Sequence, residues 1–360
     1  MTTRLATLRQ LMVEEKLDGF LVTQPENRRY LSGFTGSNGV LIITPEKKVI
    51  ATDSRYYQQV QQECPDWELA EVGYDFTGNM LELLRRLELG ARQVGFETDH
   101  ISVATLHSWE RALLGRLVLV HTEGLVEQLR FQKDGTELAS IRKAIALADE
   151  TLDHVLSMIE PGQTEQQVAW ALESYMRTHG AIAVSFEAIV AGGPNAAKPH
   201  ARPTDRPLQK GEPIVIDFGC VVDGYCSDIT RTICLGKPAD DKYLAVWDTV
   251  LAAQQAAIDR AKAGMTGQEI DELARDVIVE AGYGDNFGHA LGHGVGLAVH
   301  EGPRLSFRYP HQIPAGAVVT VEPGIYIPDW GGVRLEEMVL VQNGGVEVLT
   351  QAPKVAVLDR

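Results

Sequence analysis

Long hydrophobic runs are missing from this sequence of 360 residues. No apolar stretch approaches the roughly 20 residues needed to cross a bilayer. Met1-Thr-Thr-Arg-Leu-Ala passes straight into a charged amphipathic pattern, without the apolar core of a signal peptide. A cytoplasmic protein with no membrane partner is expected. Cysteine is scarce as well: Cys64, Cys220, Cys226 and Cys234 are the whole complement, and no two of them have C-x-x-C spacing. That argues against a disulfide framework or a zinc knuckle and leaves buried free thiols. Positive charge is in deficit, with 33 Lys and Arg against 49 Asp and Glu, a net charge of −16. Phosphate affinity rests on clustered Lys and Arg, so nucleic acid is not an expected partner, and neutral or cationic small substrates fit better. The glycine-rich stretch from Gly33 to Gly39 lacks the lysine of a phosphate-binding loop and reads as a turn.

What is present is 44% apolar side chains, ample for globular folding at a length that favours two domains. From Leu5 to about Leu129 helical and strand-like patterns alternate. Arg4 to Glu15 is helix-periodic, as are Ser54 to Glu63, Asn79 to Leu87 and Ser102 to Leu114. Gly19 to Thr23, Val40 to Thr44, Lys48 to Thr52 and Val94 to Glu97 are strand-like. Beyond them, Asp134 can cap a long helix on which Ile141, Ile145, Ala148 and Leu152 recur at helical spacing. The expected organisation is a small α/β domain over residues 1–131 and a second domain over residues 132–360.

That second domain contains an internal repeat. Gly162, Thr164, Gln166 and Gly180 recur 102 positions later as Gly264, Thr266, Gln268 and Gly282. Each set opens a helix with a capping box, Thr164 with Gln167 and Thr266 with Glu269, in which side chains satisfy otherwise orphaned amides. Further on, Gly211-Glu-Pro-Ile-Val-Ile-Asp-Phe-Gly echoes Gly316-Ala-Val-Val-Thr-Val-Glu-Pro-Gly at an offset of 105, aligning Asp217 with Glu322. The next acidic strands bring Asp228 and Glu336. Chance could supply one echo; their common order predicts two related halves about a pseudo-twofold axis, each contributing two carboxylates.

Asp223-Gly224 is a hairpin signal. Taken as the loop, it sets Val222 against Tyr225, Asp217 against Thr230 and Asp228 against Gly219, so that Asp217 and Asp228 share one face. A lone strand aspartate is ordinarily a solvent-facing or turn residue. Four carboxylates in apolar strand contexts are different, because without counter-charge they would be prohibitively costly and divalent cations would neutralise them. Histidine adds a further donor type: His289, His293 and His300 fall within twelve residues, among glycines that disfavour a regular helix and let backbone approach a ligand. His200, in the loop that starts at Gly192, holds roughly the place in the first half that His300 holds in the second.

On these residues the chain resembles the pita-bread metallopeptidases, specifically the aminopeptidase P and prolidase branch. The likeness covers essentially the whole chain, including a creatinase-type N-terminal stretch, Arg29-Tyr-Leu-Ser-Gly-Phe-Thr-Gly-Ser. It implies an α/β (α+β) protein with a creatinase-type N-terminal domain and a pita-bread catalytic domain. The family's five metal ligands fall in order on Asp217, Asp228, His293, Glu322 and Glu336, in Ile-Asp-Phe-Gly, Ser-Asp-Ile-Thr-Arg, Gly-His-Gly-Val-Gly, Val-Glu-Pro-Gly and Val-Arg-Leu-Glu. The resemblance implies two divalent metals bridged by Asp228 and Glu336, with Asp217 completing one site and His293 with Glu322 the other. Manganese is the implied metal; cobalt, iron and zinc are alternatives for an oxygen-rich set with one imidazole. A bridging hydroxide would be the nucleophile. Glu322 would relay its proton to the leaving nitrogen, and His300 would stabilise the oxyanion. His200 would hold the substrate near its proline, Arg334 would orient neighbouring groups, and His289 matches a family position that supports the ligands or the substrate.

The activity so implied is removal of the N-terminal residue from peptides whose second residue is proline, by a homodimer. Arg304, just after His300-Glu301, resembles the arginine with which prolidase-type dipeptidases hold a free carboxylate. Cleavage of Xaa-Pro dipeptides is therefore the alternative activity. Methionine aminopeptidase fits less well because of the additional N-terminal domain, and creatinase-like hydrolysis should not need the complete ligand set. A non-catalytic peptide-binding protein on this fold would have lost ligands, and all five are present.

Overall fold

The computed structural model describes residues 2–74, 76–89, 92–113 and 115–360. It divides into two compact units, Met1–Arg130 and Phe131–Arg360. In the first, β1 (Gly19–Val22), β2 (Val40–Ile43), β3 (Lys48–Thr52), β4 (Glu68–Glu71), β5 (Gln93–Glu97) and β6 (Val118–Thr122) form a sheet ordered β4-β3-β2-β1-β5-β6. Pairing is antiparallel within β1-β2-β3 and parallel at β3-β4, β1-β5 and β5-β6. Phe20, Leu21, Leu41, Ile42, Val49 and Ile50 are fully buried. Strands covered on both faces read as continuous apolar runs, as these do. The helices are α1 (Thr2–Glu14), α2 (Pro25–Ser32), α3 (Tyr57–Glu63), α4 (Phe76–Arg86), α5 (Val103–Leu113) and α6 (Glu127–Arg130). Leu114, expected at the end of the fifth helix, lies outside the described residues.

The second unit begins with α7 (Gly135–Met158). Asp134 accepts the amides of Thr136 and Glu137, each at 2.9 Å, and Glu137 returns a carboxylate to the Asp134 amide at 3.0 Å. Ile141, Ile145, Ala148 and Leu152 form the buried stripe. Because this box satisfies amides at both ends of the first turn, Asp134→Ala should cost about 1 kcal/mol. A melting midpoint about 2–4 °C lower would register that loss; an unchanged midpoint would show the cap to be idle.

The repeat seen in the sequence is realised as two helix pairs on two sheets. The helices are α8 (Glu165–Thr178), α9 (Lys242–Arg260) and α10 (Gly267–Glu280). Strands β7 (Ala183–Val184), β8 (Ile189–Gly192), β9 (Pro213–Phe218), β10 (Cys220–Val222), β11 (Tyr225–Cys226) and β12 (Ile229–Leu235) belong to the first half. The second half holds β13 (Gly292–Gly294), β14 (Glu301–Leu305), β15 (Val318–Val321), β16 (Gly324–Ile327), β17 (Gly331–Arg334), β18 (Glu337–Gln342) and β19 (Gly345–Val348), before β20 (Val357–Leu358). The larger sheets run β20-β12-β9-β8 and β14-β13-β15-β18-β19. Leu152, Leu156, Leu172 and Met176 of α7 and α8 pack in one core with Ile214, Ile216, Ile229 and Ile233 of the first sheet. Val246, Val250, Ile270 and Ile278 of α9 and α10 do the same with Val319, Val321, Val339 and Val341 of the second. Both capping boxes form, at Thr164 with Gln167 and at Thr266 with Glu269.

The hairpin register follows the Asp223-Gly224 signal. Val222 pairs with Tyr225 and Asp217 with Thr230, and Asp223 and Gly224 both take positive φ, 51° and 81°, as a type I′ turn requires. Arg231 of β12 then ties this sheet to the link between β17 and β18, to the start of β18 and to the segment after β19. Its buried guanidinium donates to the Glu336 carbonyl at 2.5 Å, to the Ala352 carbonyl at 2.7 Å and to the Glu337 carboxylate at 3.1 Å. All four cysteines are buried free thiols. Among the described residues no helix is long and apolar enough to cross a membrane.

Candidate active site

Strand β9 carries Asp217, and the backbone at the ends of β12, β15 and β18 brings Asp228, Glu322 and Glu336 to the same cavity. Asp228 immediately precedes β12, Glu336 lies between β17 and β18, and His293 is the middle residue of β13. A donor atom from each of these three lies within 4.8 Å of the others. His293 Nε2 is 3.6 Å from Asp228 Oδ2 and 3.2 Å from Glu322 Oε1, while its Nδ1 faces the Gly294 carbonyl at 3.1 Å. The glycines beside it are a packing necessity. A Cβ on Gly292 would run into the Thr320 carbonyl of β15, and one on Gly294 into the Gly302 carbonyl of β14. Asp217 sits against Arg334, which donates to its Oδ2; the buried Oδ1 has no hydrogen-bond partner.

Electrostatically this group is short of positive charge. Burial, and then the neighbouring carboxylates, push Asp228 and Glu336 well above the ordinary range; burial also raises Asp217 despite Arg334. Burial opposes ionisation of Glu322 too, yet the hydrogen bond and charge of His293 hold it down at about 2. His293 is raised in turn, since Glu322 outweighs the effect of burial. Carboxyls forced towards protonation, an orphaned buried oxygen and an imidazole with acceptors at both nitrogens form a donor set that fits divalent cations.

The surrounding groups form a continuous network. Arg334 Nε donates to Thr230 Oγ1 at 3.1 Å, and Thr230 Oγ1 donates to Glu336 Oε2 at 2.7 Å. Arg334 Nη1 donates to the Tyr326 hydroxyl at 2.7 Å and to the Pro199 carbonyl at 3.1 Å. The same hydroxyl lies 3.0 Å from His289 Nε2, whose Nδ1 faces the Ala290 carbonyl at 2.8 Å. Helix α10 fixes the backbone around His289: Arg275 donates to the Phe287 and His289 carbonyls at 2.9 and 2.8 Å, and Asp271 accepts the Leu291 amide at 2.9 Å. The His300 ring meets His293 edge to face at a centroid distance of 4.3 Å.

A single cavity of about 620 Å³ is lined by all ten residues singled out from the sequence, Asp217, Asp228, His289, His293, Glu322, Arg334 and Glu336 together with the more exposed His200, His300 and Arg304. Three further residues belong to the network and were not singled out: Thr230, Thr320 and Tyr326. Thr320 Oγ1 donates to Glu322 Oε1 at 2.9 Å and accepts the His293 amide at 3.0 Å. Thr230 and Thr320 stand two residues from Asp228 and Glu322, so period-two alternation could have found them. Tyr326 carries no comparable signal.

Known proteins resemble this chain over most of its length. The sequence model of metallopeptidase family M24 matches residues 139–343, and that of the creatinase/prolidase N-terminal domain matches residues 4–132. An uncharacterized peptidase of Bacillus subtilis is 39% identical over 351 residues, 98% of each chain. Among solved structures, an Xaa-Pro dipeptidase from Bacillus anthracis has a TM-score of 0.95 and 38% identity over 99% of both chains. An X-Pro aminopeptidase from Thermotoga maritima has a TM-score of 0.87 and 39% identity, covering 95% of this chain and 98% of that one.

Proposed function

The chain belongs to metallopeptidase family M24, and from that premise we propose that it removes the N-terminal residue from peptides whose second residue is proline. The observation that carries the reading is the convergence of Asp228, His293 and Glu336 on one point, with Asp217 and Glu322 lining the same cavity. The family implies divalent metal ions. On our reading Asp228 and Glu336 would be shared by two such ions, Asp217 would complete one site, and His293 and Glu322 would complete the other. Oxygen donors with one imidazole favour manganese. When bound, such ions supply Lewis acidity and a water acidified enough to act near neutral pH.

The protein's own groups do the rest. Glu322, held ionised, accepts a proton at its carboxylate and passes it to the leaving proline nitrogen. His300 donates towards the developing oxyanion, His200 holds the proline side of the substrate, and Arg334 keeps Asp217 and Tyr326 in place. The peptide's free ammonium lies against the carboxylates, which restricts cleavage to the first residue. A homodimer, which rests on the resemblance alone, and a cytoplasmic location complete the reading. The test is a metal-reconstituted assay on Xaa-Pro dipeptides, Xaa-Pro-Xaa tripeptides and longer peptides. Turnover of the longer substrates is expected; failure to cleave any Xaa-Pro bond would end the proposal.

Arg304 favours the dipeptidase as a second reading, because its exposed side chain lines the cavity beside His300. If it clamps a terminal carboxylate, Arg304→Ala should lose about 1.5–3 kcal/mol of efficiency on Xaa-Pro, as for a charged hydrogen bond, with tripeptides much less affected. Equal losses on both substrates, or none on either, would remove the dipeptidase argument.

A further inference from the structure

Resting on the role just given to His200, we propose that Glu165 is the positioning residue that sets the loop presenting this histidine to the cavity. Glu165 is the first residue of α8, where an acidic side chain ordinarily stays at the surface and interacts with the helix dipole. It is instead fully buried, turned away from its own helix. Oε1 accepts from the Gly192 amide at 2.9 Å and from Asn195 Nδ2 at 3.1 Å. Oε2 accepts from the Thr204 amide at 2.9 Å and the Thr204 hydroxyl at 2.6 Å. Gly192 ends β8, and Thr204 lies at the far side of the segment that carries His200. One carboxylate thus gathers both ends of this loop. Between those ends the Pro199 carbonyl, adjacent to His200, takes its hydrogen bond from Arg334 at 3.1 Å.

The internal repeat supplies a control within the same chain. Position 165 corresponds to Gly267 at the offset of 102. The two helix starts make matching backbone bonds: the Glu165 and Gln166 amides to the Arg206 and Thr204 carbonyls, both 3.1 Å, and the Gly267 and Gln268 amides to the His311 and Tyr309 carbonyls, 3.1 and 3.0 Å. The second start forms without a carboxylate at that position, its acidic group being Glu269 of the capping box, and a side chain at Gly267 would run into the Arg304 carbonyl. The helix start therefore does not require Glu165. In the second half the loop bearing His289 is held from further along the helix, by Asp271 and Arg275. Each half's second helix fastens a histidine-bearing loop, from a different position.

Glu165→Gln tests the proposal, because it keeps the shape but turns an amide towards partners that are all donors. In the metal-loaded full chain kcat/KM on an Xaa-Pro peptide should fall about 10- to 100-fold, the scale expected for a small misplacement of a substrate-positioning group. In a His200→Ala background the same substitution should cost little more, since its effect passes through His200. Glu165→Asp, which keeps the charge, should fall between wild type and Glu165→Gln, and it carries the same comparison should Glu165→Gln not fold. Hydrogen exchange, which needs neither metal nor turnover, should speed up at residues 192–204 while the rest of the second unit keeps its protection. Losses that multiply in the double variant would overturn the proposal. So would faster exchange spread evenly over the unit with kcat/KM per folded molecule unchanged. A wild type that cleaves no Xaa-Pro peptide but shows the localised exchange response would count against the proposed function and leave the loop-setting role standing.

Discussion

Asp228→Ala is expected to abolish tight divalent-cation binding and to lower kcat/KM on an Xaa-Pro peptide by at least about 10³-fold, the order lost when one preorganised electrostatic group is removed from an active site. Asp228 is buried, and its Oδ2 lies 3.6 Å from His293 Nε2. It also belongs to the one group of three convergent donors found among the described residues. On our reading Asp228 is shared between two sites and has no substitute: Asp217 is already engaged by Arg334, and Glu336 by Thr230. On that reading alanine removes a donor from both sites at once, and the remaining carboxylates cannot move to replace it because their backbones are fixed, Asp217 by pairing with Thr230 and the Glu322 and Glu336 amides by bonds to the Leu291 and Thr230 carbonyls. The same substitution should act oppositely on the protein in chelator. There the clustered carboxylates repel one another, so taking one away relieves the cluster and the variant should melt no lower than chelated wild type. Elemental analysis of the purified variant, kcat/KM after reconstitution and a melt in chelator together separate loss of ligation from loss of fold. A variant that retained two metals and wild-type turnover would sink the ligand assignment.

The parts of this architecture legible in the sequence are those whose cause is local. The Asp223-Gly224 turn dictates the register of its own hairpin, so the pairing of Asp217 with Thr230 could be counted outward from two residues. The capping boxes at Asp134, Thr164 and Thr266 are three-residue motifs that need no tertiary help to be read. Elements that owe their existence to a distant neighbour were not legible. Helix α2 went unseen because Asn27, Arg28 and Ser32 look like surface residues yet are buried. They are tolerated because Asn27 donates to Glu97 at 2.7 Å and accepts from Arg130 at 2.8 Å, partners 70 and 103 positions away. The edge strands β4 and β6 were missed for the complementary reason. Only Ala70 of β4 and Thr122 of β6 are buried, so their strand character comes from the neighbour to which they are bonded rather than from an apolar pattern. The site divides in the same way. Its carboxylates stand out as charges in apolar strands, whereas Tyr326 is an ordinary buried aromatic until the fold sets its hydroxyl between Arg334 and His289.

Glu322→Gln should preserve the fold and lower turnover by at least the ~10²-fold typical of removing a general base. The wild-type carboxylate is fixed in place and held ionised by its surroundings. Its backbone amide is bonded to the Leu291 carbonyl at 2.8 Å. Its Oε1 takes the Thr320 hydroxyl at 2.9 Å and lies 3.2 Å from His293 Nε2. Burial works against its charge, but His293 more than offsets it and keeps the group near 2, far from the range of Asp228 and Glu336 beside it. On our reading Asp228 and Glu336 would release their protons to solvent when cations bind, and Glu322, already ionised, would be free to accept the proton of the reaction. Glutamine matches its shape and can still accept from Thr320 through its carbonyl, so packing changes little, but it cannot take up a proton. The proposed ligand role supplies the necessary control, since a fall in kcat could reflect lost metal. The informative comparison is therefore kcat at matched metal content, read alongside KM. If Glu322 moves the proton, kcat falls at full occupancy while KM changes little. If it serves only as a ligand, the loss follows the missing metal and is restored by raising metal concentration. Wild-type kcat in a metal-replete Glu322→Gln protein would withdraw the proton from Glu322 altogether.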